Sequence, residues 1–319
     1  MAQYSPGELK KFYYIPEATY GTTPTDALTW GCDVVSLKPK VNANKEFHTL
    51  ESSTYGTYGS ATRGGWEIGF TLDGLAHAES GTYDWTDFWG VYGWGGAAAL
   101  ARHLGSFTAQ VGKTVSSSNY YDFYNGCKIN KLTIGCDGPG KLIKFGAEVF
   151  CRWVTQDTDK TIAGLQALTV GANPSDITSA ILTWTGSSTV NIAAGGAVAW
   201  YPRKWELTVD NHLERVMGNV TGAGGAQYSV TNALSEGLRE INFTCELPYE
   251  GETYTAAKLA SSAITAVKIG MDSTATTPKV LTLTDGELMV DGGDWPEYKH
   301  ALMDEPISIK FKSLTTGTT

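Results

Sequence analysis

A ten-residue pattern that occurs twice constrains the fold of this chain more than any other feature. Residues 64–73 read GGWEIGFTLD and residues 237–246 read GLREINFTCE, so both copies follow G-x-x-E-I-x-F-T-x-[DE]. Apolar and polar side chains alternate in each copy, which is typical of a strand with one buried face and one wet face. The repeat therefore predicts an internal duplication built from β-strands.

The same order of elements surrounds each copy. An alternating segment comes first, a long polar stretch follows it, and a short helical pattern comes after the copy itself. These elements are residues 35–41, 42–63 and 84–92 in the first half, and residues 205–210, 211–236 and 255–263 in the second. Loops longer than about 12 to 15 residues are usually functional or disordered. Each half is therefore predicted as strand, long functional loop, strand and short helix.

Further alternating segments complete a chain that is mainly β. They are residues 127–136 and 141–153, joined by the turn DGPG, and later residues 263–271, 279–290 and 306–313. We predict a β-sandwich or barrel-like fold with two pseudo-repeated halves, each with a short flanking helix. The predicted organisation is an N-terminal arm (1–29), a first half (30–154), an insertion or connector (155–196), and a second half with the C-terminal strand (197–319).

Charge and cysteine usage exclude several classes of protein. The net charge of −9 and pI near 5.1 argue against a surface that grips nucleic acid, because tight phosphate binding rests on clustered Lys and Arg. The five cysteines are an odd number without a C-x-x-C pair, so we interpret them as buried thiols. The sequence shows no signal peptide or membrane span, which predicts synthesis in a reducing cytoplasm.

Residue patterns that carry enzymatic or ligand chemistry are missing from the sequence. The five histidines are scattered without metal-ligand spacing, and no nucleophile elbow occurs. The segment GSFTAQVGKT (105–114) ends like a phosphate-binding loop but lacks the first glycine, so we interpret it as a loop between strands. We therefore predict no enzyme, no catalytic residue, no cofactor and no metal.

The polar sides of the four repeated strands are the candidate functional surface. If these strands lie side by side, two lysines face six carboxylates on the wet face, a balance of −4 that would repel DNA. The residues predicted on this face are Lys38, Lys40, Glu67, Thr71, Asp73, Glu206, Thr208, Asp210, Glu240, Asn242, Thr244 and Glu246. An ordinary solvated sheet face is the alternative interpretation of the same pattern.

The opening of the chain is similar to a known family. Residues 13–26, YYIPEATYGTTPTD, resemble the N-terminal E-x-T-[YF]-G-T-T-P segment of phage tail tube proteins, the major tail proteins of long-tailed viruses. The central segment KINKLTIGCDGPGKLIKFGAEVF and the final PISIKFKS follow the order of elements in that family. The resemblance spans nearly the whole chain.

The resemblance implies a structural virion protein that forms stacked hexameric rings, and hence a hollow tube through which viral DNA leaves the capsid. It implies that residues 35–41, 66–73, 205–210 and 240–247 line the channel. The long loops would then make contacts between subunits and rings, through Phe47, Tyr55, Tyr58, Arg63, Arg215 and Tyr228. The implied partners are other copies of the chain, the tape-measure, tail-tip and tail-terminator proteins, and DNA that passes without sticking.

Three other interpretations remain open at this point. Ten tryptophans and many Thr- and Gly-rich strands are compatible with a carbohydrate-binding β-sandwich module. An enzyme on a β scaffold would need several titratable groups that converge in a pocket, and the sequence shows no candidate pair of catalytic residues. Among tube-forming proteins, the inner tube of a contractile tail-like injection system is the third possibility.

Overall fold

The computed structural model describes sixteen stretches of the 319 residues. They are residues 8–25, 28–42, 45–48, 60–63, 65–76, 89–95, 104–115, 118–157, 182–184, 188–192, 198–200, 202–221, 227–248, 263–272, 279–289 and 304–318. Nearly all regular structure in these stretches is β, as the alternating sequence patterns predict. The fold class of the chain is therefore mainly β, with antiparallel strand pairs.

Nineteen strands and one π-helical turn, Gly90–Trp94, account for the regular structure in the described stretches. The strands are β1 Glu8–Pro16, β2 Thr29–Asn42, β3 Lys45–His48, β4 Ser60–Arg63, β5 Glu67–Leu75, β6 Phe107–Val115, β7 Ser118–Cys136, β8 Lys144–Cys151, β9 Trp153–Asp157, β10 Thr183–Trp184, β11 Thr189–Ile192, β12 Val198–Trp200, β13 Lys204–Asp210, β14 Leu213–Thr221, β15 Gln227–Glu236, β16 Glu240–Pro248, β17 Ala263–Asp272, β18 Lys279–Met289 and β19 Asp304–Thr318.

Six strands of the N-terminal part form a closed circuit. Going round it, β7 pairs with β6, β6 with β1, β1 with β2, β2 with β5, β5 with β8, and β8 again with β7. The 19-residue β7 makes this closure possible, because its first part pairs with β6 and its last part pairs with β8. A closed barrel leaves fewer free backbone groups at its edges than an open sheet.

The C-terminal part continues from the same long strand. The last residues of β7 pair with β13 as well as with β8, and β13 pairs with β16 on its other edge. From β16 the sheet proceeds through β19, β18, β17 and β11 to β12. Within the described stretches, the two hairpins β3–β4 and β14–β15 each form a separate two-stranded sheet.

One hydrophobic core extends through both parts of the molecule. The alternating apolar residues of each strand enter it, as period-two patterns predict. Its fully or almost fully buried members include Phe12, Leu37, Phe70, Ile129, Val149, Trp205, Phe243, Ile269, Leu283 and Ile309. Trp205 and Phe243 stack across neighbouring strands with ring centroids 6.3 Å apart. Continuous burial of this kind couples the stability of the two parts.

Several elements differ from the sequence-based expectations. Residues 105–114 were expected to form a loop, but residues 107–115 are strand β6 inside the barrel circuit. The long polar stretches were expected to be loops, but each contains a hairpin, β3–β4 in the first and β14–β15 in the second. Alternation of apolar and polar residues is weak in these stretches. Within 155–196, the described pieces include β10 and β11, which both pair with β17.

The expected flanking helices fall largely outside the described residues. Residues 84–88 and 255–262 lie in undescribed stretches, while residues 90–94 form the π-helical turn. Within the predicted helical segment 84–92, Trp89 and Tyr92 are both buried. The short helices and the two pseudo-repeated halves therefore stay predictions, as do the domain boundaries.

The cysteine prediction is confirmed for the four cysteines whose side chains the structure describes. Cys127, Cys136, Cys151 and Cys245 are free and buried. Burial raises the pKa of the Cys127 and Cys245 thiols, so both stay protonated at neutral pH. The side chain of Cys32 lies outside the described residues.

Candidate functional site

The exposed side of a continuous run of seven strands, β2, β5, β8, β7, β13, β16 and β19, forms the candidate surface, which we call the polar face. All twelve residues predicted to face a channel lie on this side of their strands, and each is exposed or half-buried. Their neighbours in sequence alternate into the core, such as Leu72 at 1% exposure and Leu207 at 0%. The alternation in the sequence therefore located this face residue by residue.

The four repeated strands are not adjacent, contrary to our expectation that they lie side by side. They form two separate pairs, β2 with β5 and β13 with β16, and the hairpin β7–β8 lies between them. The hairpin lies between the two pairs because β8 pairs with the edge of β5 that does not contact β2, while β7 pairs with β13. Sequence alternation cannot specify this order, because every strand with one polar face carries the same signal.

The inserted hairpin changes the charge of the polar face. It adds Lys131, Lys144 and Glu148, and the pairing also brings Lys204 and Lys310 to this side. Among its described side chains the face carries six lysines (38, 40, 131, 144, 204 and 310) against seven carboxylates (67, 73, 148, 206, 210, 240 and 246), a balance of −1. Lys128 lies on the same side of β7 but pairs with Glu236 of hairpin β14–β15 at 2.6 Å, so these two residues add no net charge. The strongly repulsive −4 that followed from four adjacent strands does not describe this surface.

Opposite charges on the polar face lie across from one another. Lys131 on β7 is opposite Glu148 on one side and Asp210 on the other, and Lys204 is opposite Glu246. Lys310 Nζ lies 3.8 Å from Glu240 Oε2. Cross-strand pairs of opposite charge each contribute a few tenths of a kcal/mol, to about 1 kcal/mol at most. These lysines are therefore already compensated by carboxylates of the same face.

One end of the polar face holds a shallow groove beside the β7–β8 turn. The groove has a volume of about 520 Å³, and its lining includes Asp73, Lys144, Lys204 and Glu206. Lys144 Nζ donates to Asp137 Oδ2 at 3.0 Å, and this contact holds the pKa of that carboxyl below its ordinary value. The groove is open, and its lining carries charges of both signs. Among the described lining residues, no nucleophile is paired with a base.

Metal chemistry receives no support from the geometry. Within the stretches that the structure describes, no group of three or more His, Cys, Asp or Glu side chains is arranged to hold a metal ion. A search of the same stretches for a membrane-crossing helix of sufficient length and apolarity finds none.

Arg215 is the one predicted interface residue whose side chain is described, and it is engaged within its own subunit. Its guanidinium donates to the carbonyls of Ile68 at 2.8 Å and Cys151 at 3.2 Å, and it lies 4.2 Å from the ring centre of Phe150. Burial lowers the pKa of this guanidinium from its ordinary value. Arg215 therefore holds the hairpin β14–β15 against β5 and β8.

The other predicted interface residues are only partly described. Phe47 and Arg63 belong to hairpin β3–β4 and Tyr228 to hairpin β14–β15, but nothing is described of their side chains. Tyr55 and Tyr58 lie outside the described residues. Both hairpins leave the polar face at the same end, where Asn42 is opposite Glu67 and Asp210 is opposite Glu240. We call this the hairpin end.

A turn at the start of the chain explains the E-x-T-[YF]-G-T-T-P pattern. Glu17 Oε1 accepts from the Gly126 amide at 2.8 Å and from Thr108 Oγ1 at 2.7 Å, while Glu17 Oε2 accepts from the Gly21 amide at 2.8 Å. Gly21 has φ of 69°, a conformation that favours glycine. The glutamate and glycine of the pattern thus fasten the N-terminal segment onto β6 and β7.

A buried polar network links the two parts, and sequence reasoning missed it. Asn211, 1% exposed, donates through Nδ2 to the carbonyls of Gly93 at 2.8 Å and Ile129 at 3.0 Å. Arg239 Nε donates to Asn211 Oδ1 at 2.6 Å, and Arg239 Nη1 donates to the Trp94 carbonyl at 2.6 Å. The network ties both ends of hairpin β14–β15 to the π-helical turn. A lone Asn after a strand gives no signal of such partners.

Comparison with known proteins identifies a family. The family model described as "Phage tail tube protein" matches residues 7–299, which is nearly the whole chain. The match includes the Glu17 turn, six of the seven strands of the polar face and both hairpins. No curated protein matches the sequence.

Proposed function

The chain belongs to the phage tail tube protein family and is a structural component of a phage tail, and we propose that its copies form hexameric rings that stack into a hollow tube. The polar face lines the channel in this arrangement, and viral DNA passes along it. The finding that carries the proposal is the polar face, which seven neighbouring strands present as one continuous surface.

Closure of a ring is the arrangement that places the polar faces of all copies around one channel. Head-to-tail contacts form a closed ring when the rotation between copies divides a full turn, and every copy then meets the same neighbour. We propose that six copies form the ring, and that the strand pairs β2–β5 and β13–β16 occupy equivalent positions in the channel wall. In both pairs the last residue of the first strand is opposite the glutamate of the repeated motif, Asn42 opposite Glu67 and Asp210 opposite Glu240, which supports this equivalence.

The charge pattern of the polar face suits DNA that moves through without binding. Tight phosphate binding requires lysines and arginines free to replace counterions. Four of the six lysines have carboxylate partners: Lys131 and Lys204 lie opposite carboxylates, Lys144 lies 3.0 Å from Asp137, and Lys310 lies 3.8 Å from Glu240. The net charge of −1 per subunit does not attract DNA. In this proposal the channel releases DNA because most of its cations are compensated, rather than through strong repulsion.

The two hairpins are the proposed contacts between rings. Both leave the hairpin end of the sheet, so in a stack they point toward the same neighbouring ring. Phe47, Tyr55, Tyr58, Arg63 and Tyr228 are proposed to contribute to this contact, with Arg215 fixing the base of one hairpin. Tape-measure, tail-tip and tail-terminator proteins are the proposed partners at the tube ends, and host cytoplasm is the proposed place of synthesis.

Electron microscopy of the purified chain tests assembly. Negative-stain images of concentrated protein are expected to show hollow tubes or rings, and class averages should show six-fold symmetry. Averages with another symmetry would refute the hexamer. Persistent monomers, even after tail-tip components are added, would contradict self-assembly altogether.

Charge reversal tests the channel role separately from assembly. The substitutions Glu67→Lys, Asp73→Lys, Glu240→Lys and Glu246→Lys change the polar face from −1 to +7 per subunit, since each reversal adds two charges. Tubes are expected to form, while genome delivery should fall because free lysines bind phosphate. The matched control replaces the same four residues with Gln or Asn. Unchanged infectivity of the lysine variant would contradict a channel-facing position.

A further inference from the structure

Two cysteine side chains meet inside the N-terminal barrel. The Sγ atoms of Cys127 and Cys151 lie 3.0 Å apart, and both residues are fully buried. Neither side chain contributes to the polar face or to the hairpin end. No part of the proposed tube function uses this pair.

The backbone places the two cysteines directly opposite one another. Lys128 is opposite Phe150 on one side of the pair, and Asn125 is opposite Trp153 on the other, so the register aligns residue 127 with residue 151. Directly opposed residues of antiparallel strands have Cα atoms about 4.5 to 5.5 Å apart. This spacing lies within the range of disulfides, whose sulfurs are about 2.05 Å apart. Small side-chain rotations would close the remaining distance of about 1 Å.

The other described cysteines have different surroundings. Cys136 Sγ is directed to backbone oxygens, at 3.2 Å from the Gly138 carbonyl and 3.4 Å from the Lys141 carbonyl. Cys245 is buried on β16. Among the four cysteines with described side chains, Cys127 and Cys151 are the only two in mutual sulfur contact. The geometry is therefore specific to one pair.

We propose that Cys127 and Cys151 are a latent cross-strand disulfide that forms when the protein meets a small-molecule disulfide such as oxidised glutathione. The inference is independent of the tube function. One cysteine sulfur attacks the oxidant, forming a mixed disulfide and releasing one glutathione. The second cysteine then attacks the mixed disulfide, forming the Cys127–Cys151 bond and releasing the second glutathione. Two electrons pass to the oxidant, and the two thiol protons end on the released glutathiones.

The bond would fasten the barrel where β8 ends and β9 begins. The Cys151 carbonyl at this point also accepts from Arg215, so the bond would lie beside the anchor of hairpin β14–β15. The cross-link closes a segment that includes the β7–β8 turn, with its ends 24 positions apart. Such a link stabilises a protein mainly by restricting the unfolded chain. We expect the melting temperature of the subunit to rise by roughly 5 °C.

Burial sets the conditions under which the bond forms. Burial raises the pKa of the Cys127 thiol, so little of the reactive thiolate exists in the native fold. The thiols are therefore stable in a reducing cytoplasm, and native oxidation is slow. Refolding in the presence of oxidant exposes both sulfurs and removes this barrier. An oxidising environment outside the cell favours the cross-linked form once it is made.

The test is refolding of the full chain with either oxidised glutathione or a reducing agent. Peptide mapping after alkylation of free thiols is expected to show a Cys127–Cys151 linked peptide only in the oxidised sample. Thermal melting should show the shift of roughly 5 °C, reversed by a reductant. A disulfide between other cysteines, including Cys32, or a reduced pair after oxidative refolding, would overturn the proposal.

Substitutions separate the covalent effect from general stability. Cys127→Ser and Cys151→Ser are each expected to abolish the difference in melting temperature between oxidised and reduced samples, whatever their own stability. The matched control Cys245→Ala removes a buried thiol outside the pair and should keep the full difference. A shift that survives Cys127→Ser, or disappears in Cys245→Ala, would contradict the assignment.

Discussion

The strand pairs β2–β5 and β13–β16 share a register but not an environment. Asn42 is opposite Glu67 in the first pair, and Asp210 is opposite Glu240 in the second, so position 39 corresponds to 207 and position 41 to 209. Pro39 and Val41 are exposed, whereas Leu207 and Val209 are fully buried. Strand β13 is paired on both edges, while the described pairing of β2 with β1 ends at Asp33. Equivalent patterns therefore acquire different roles from their neighbours.

Proline at position 207 should have the largest effect on stability, because the corresponding position 39 of β2 already carries proline. Leu207→Pro places proline in a strand paired on both edges, where it removes a ladder hydrogen bond and a buried side chain. We expect a loss of about 3 kcal/mol or more in the free energy of unfolding, measured by urea denaturation of the unassembled subunit. The counterpart Pro39→Leu should stay within about 1 kcal/mol of the wild type. Equal effects would contradict the difference in burial between the two positions.

Truncation of the corresponding valines should have the next largest effect. Val209→Ala removes two buried methyl groups and should cost about 2 kcal/mol. Val41→Ala, at a position that is 50% exposed, should cost less than about 0.5 kcal/mol. Urea midpoints of the two variants measure the contrast directly. A large loss in Val41→Ala would show that this position is buried in solution, by the subunit itself or by another copy.

The link between the two strand pairs depends on Arg215. Arg215→Met keeps much of the side-chain length but removes the donors to the Ile68 and Cys151 carbonyls. Because those bonds are largely shielded from water, we expect a loss of about 1 to 3 kcal/mol. Hydrogen exchange should show faster opening of hairpin β14–β15 than of β13 and β16. The neighbouring exposed substitution Glu214→Gln is the control, and equal exchange in both variants would refute the anchor.

The exposed pair at the turn between the two strand pairs should have the smallest effect. Lys144 lowers the pKa of Asp137, so the pair contributes stability above the unfolded-state pKa of about 3.9 and loses it as pH falls through the lower folded-state value. Asp137→Asn should slightly lower the urea midpoint at pH 7, with the difference vanishing as pH falls from about 5 towards 2. High salt should also remove it. Lys141→Gln in the same turn should show no such dependence.

Much of the candidate site could be read from alternation, because a side chain in a strand faces one side or the other. Alternation alone predicts Glu67, Asp73 and Thr208 on the polar sides of their strands, where the structure has them. The strand signals of 127–136 and 141–153 were equally clear, but their position between the repeated pairs was not. The order of strands in a sheet depends on which strand edges pair, and the alternation pattern of a strand does not specify its neighbour. For this reason the balance of the polar face changed from −4 to −1.

Side-chain partners across distant segments were harder to predict than faces. Arg215 was expected to reach another subunit, yet its guanidinium lies on carbonyls of β5 and β8. Asn211 and Arg239 gave no signal, because the carbonyls they satisfy belong to residues more than 80 positions away or to the π-helical turn. Glu17 is intermediate, since the Glu and Gly spacing was visible but its partners Thr108 and Gly126 were not.

The sequence by itself determined the β class of this protein, the polar and apolar sides of its strands, the buried thiols and the family to which it belongs. These are local properties, fixed by period-two alternation and by short motifs. The tertiary structure alone decided which strands are neighbours, which valine is buried, and which cysteines face one another. Those outcomes depend on long-range pairing, where a strand's energy comes from what lies against it rather than from its own pattern.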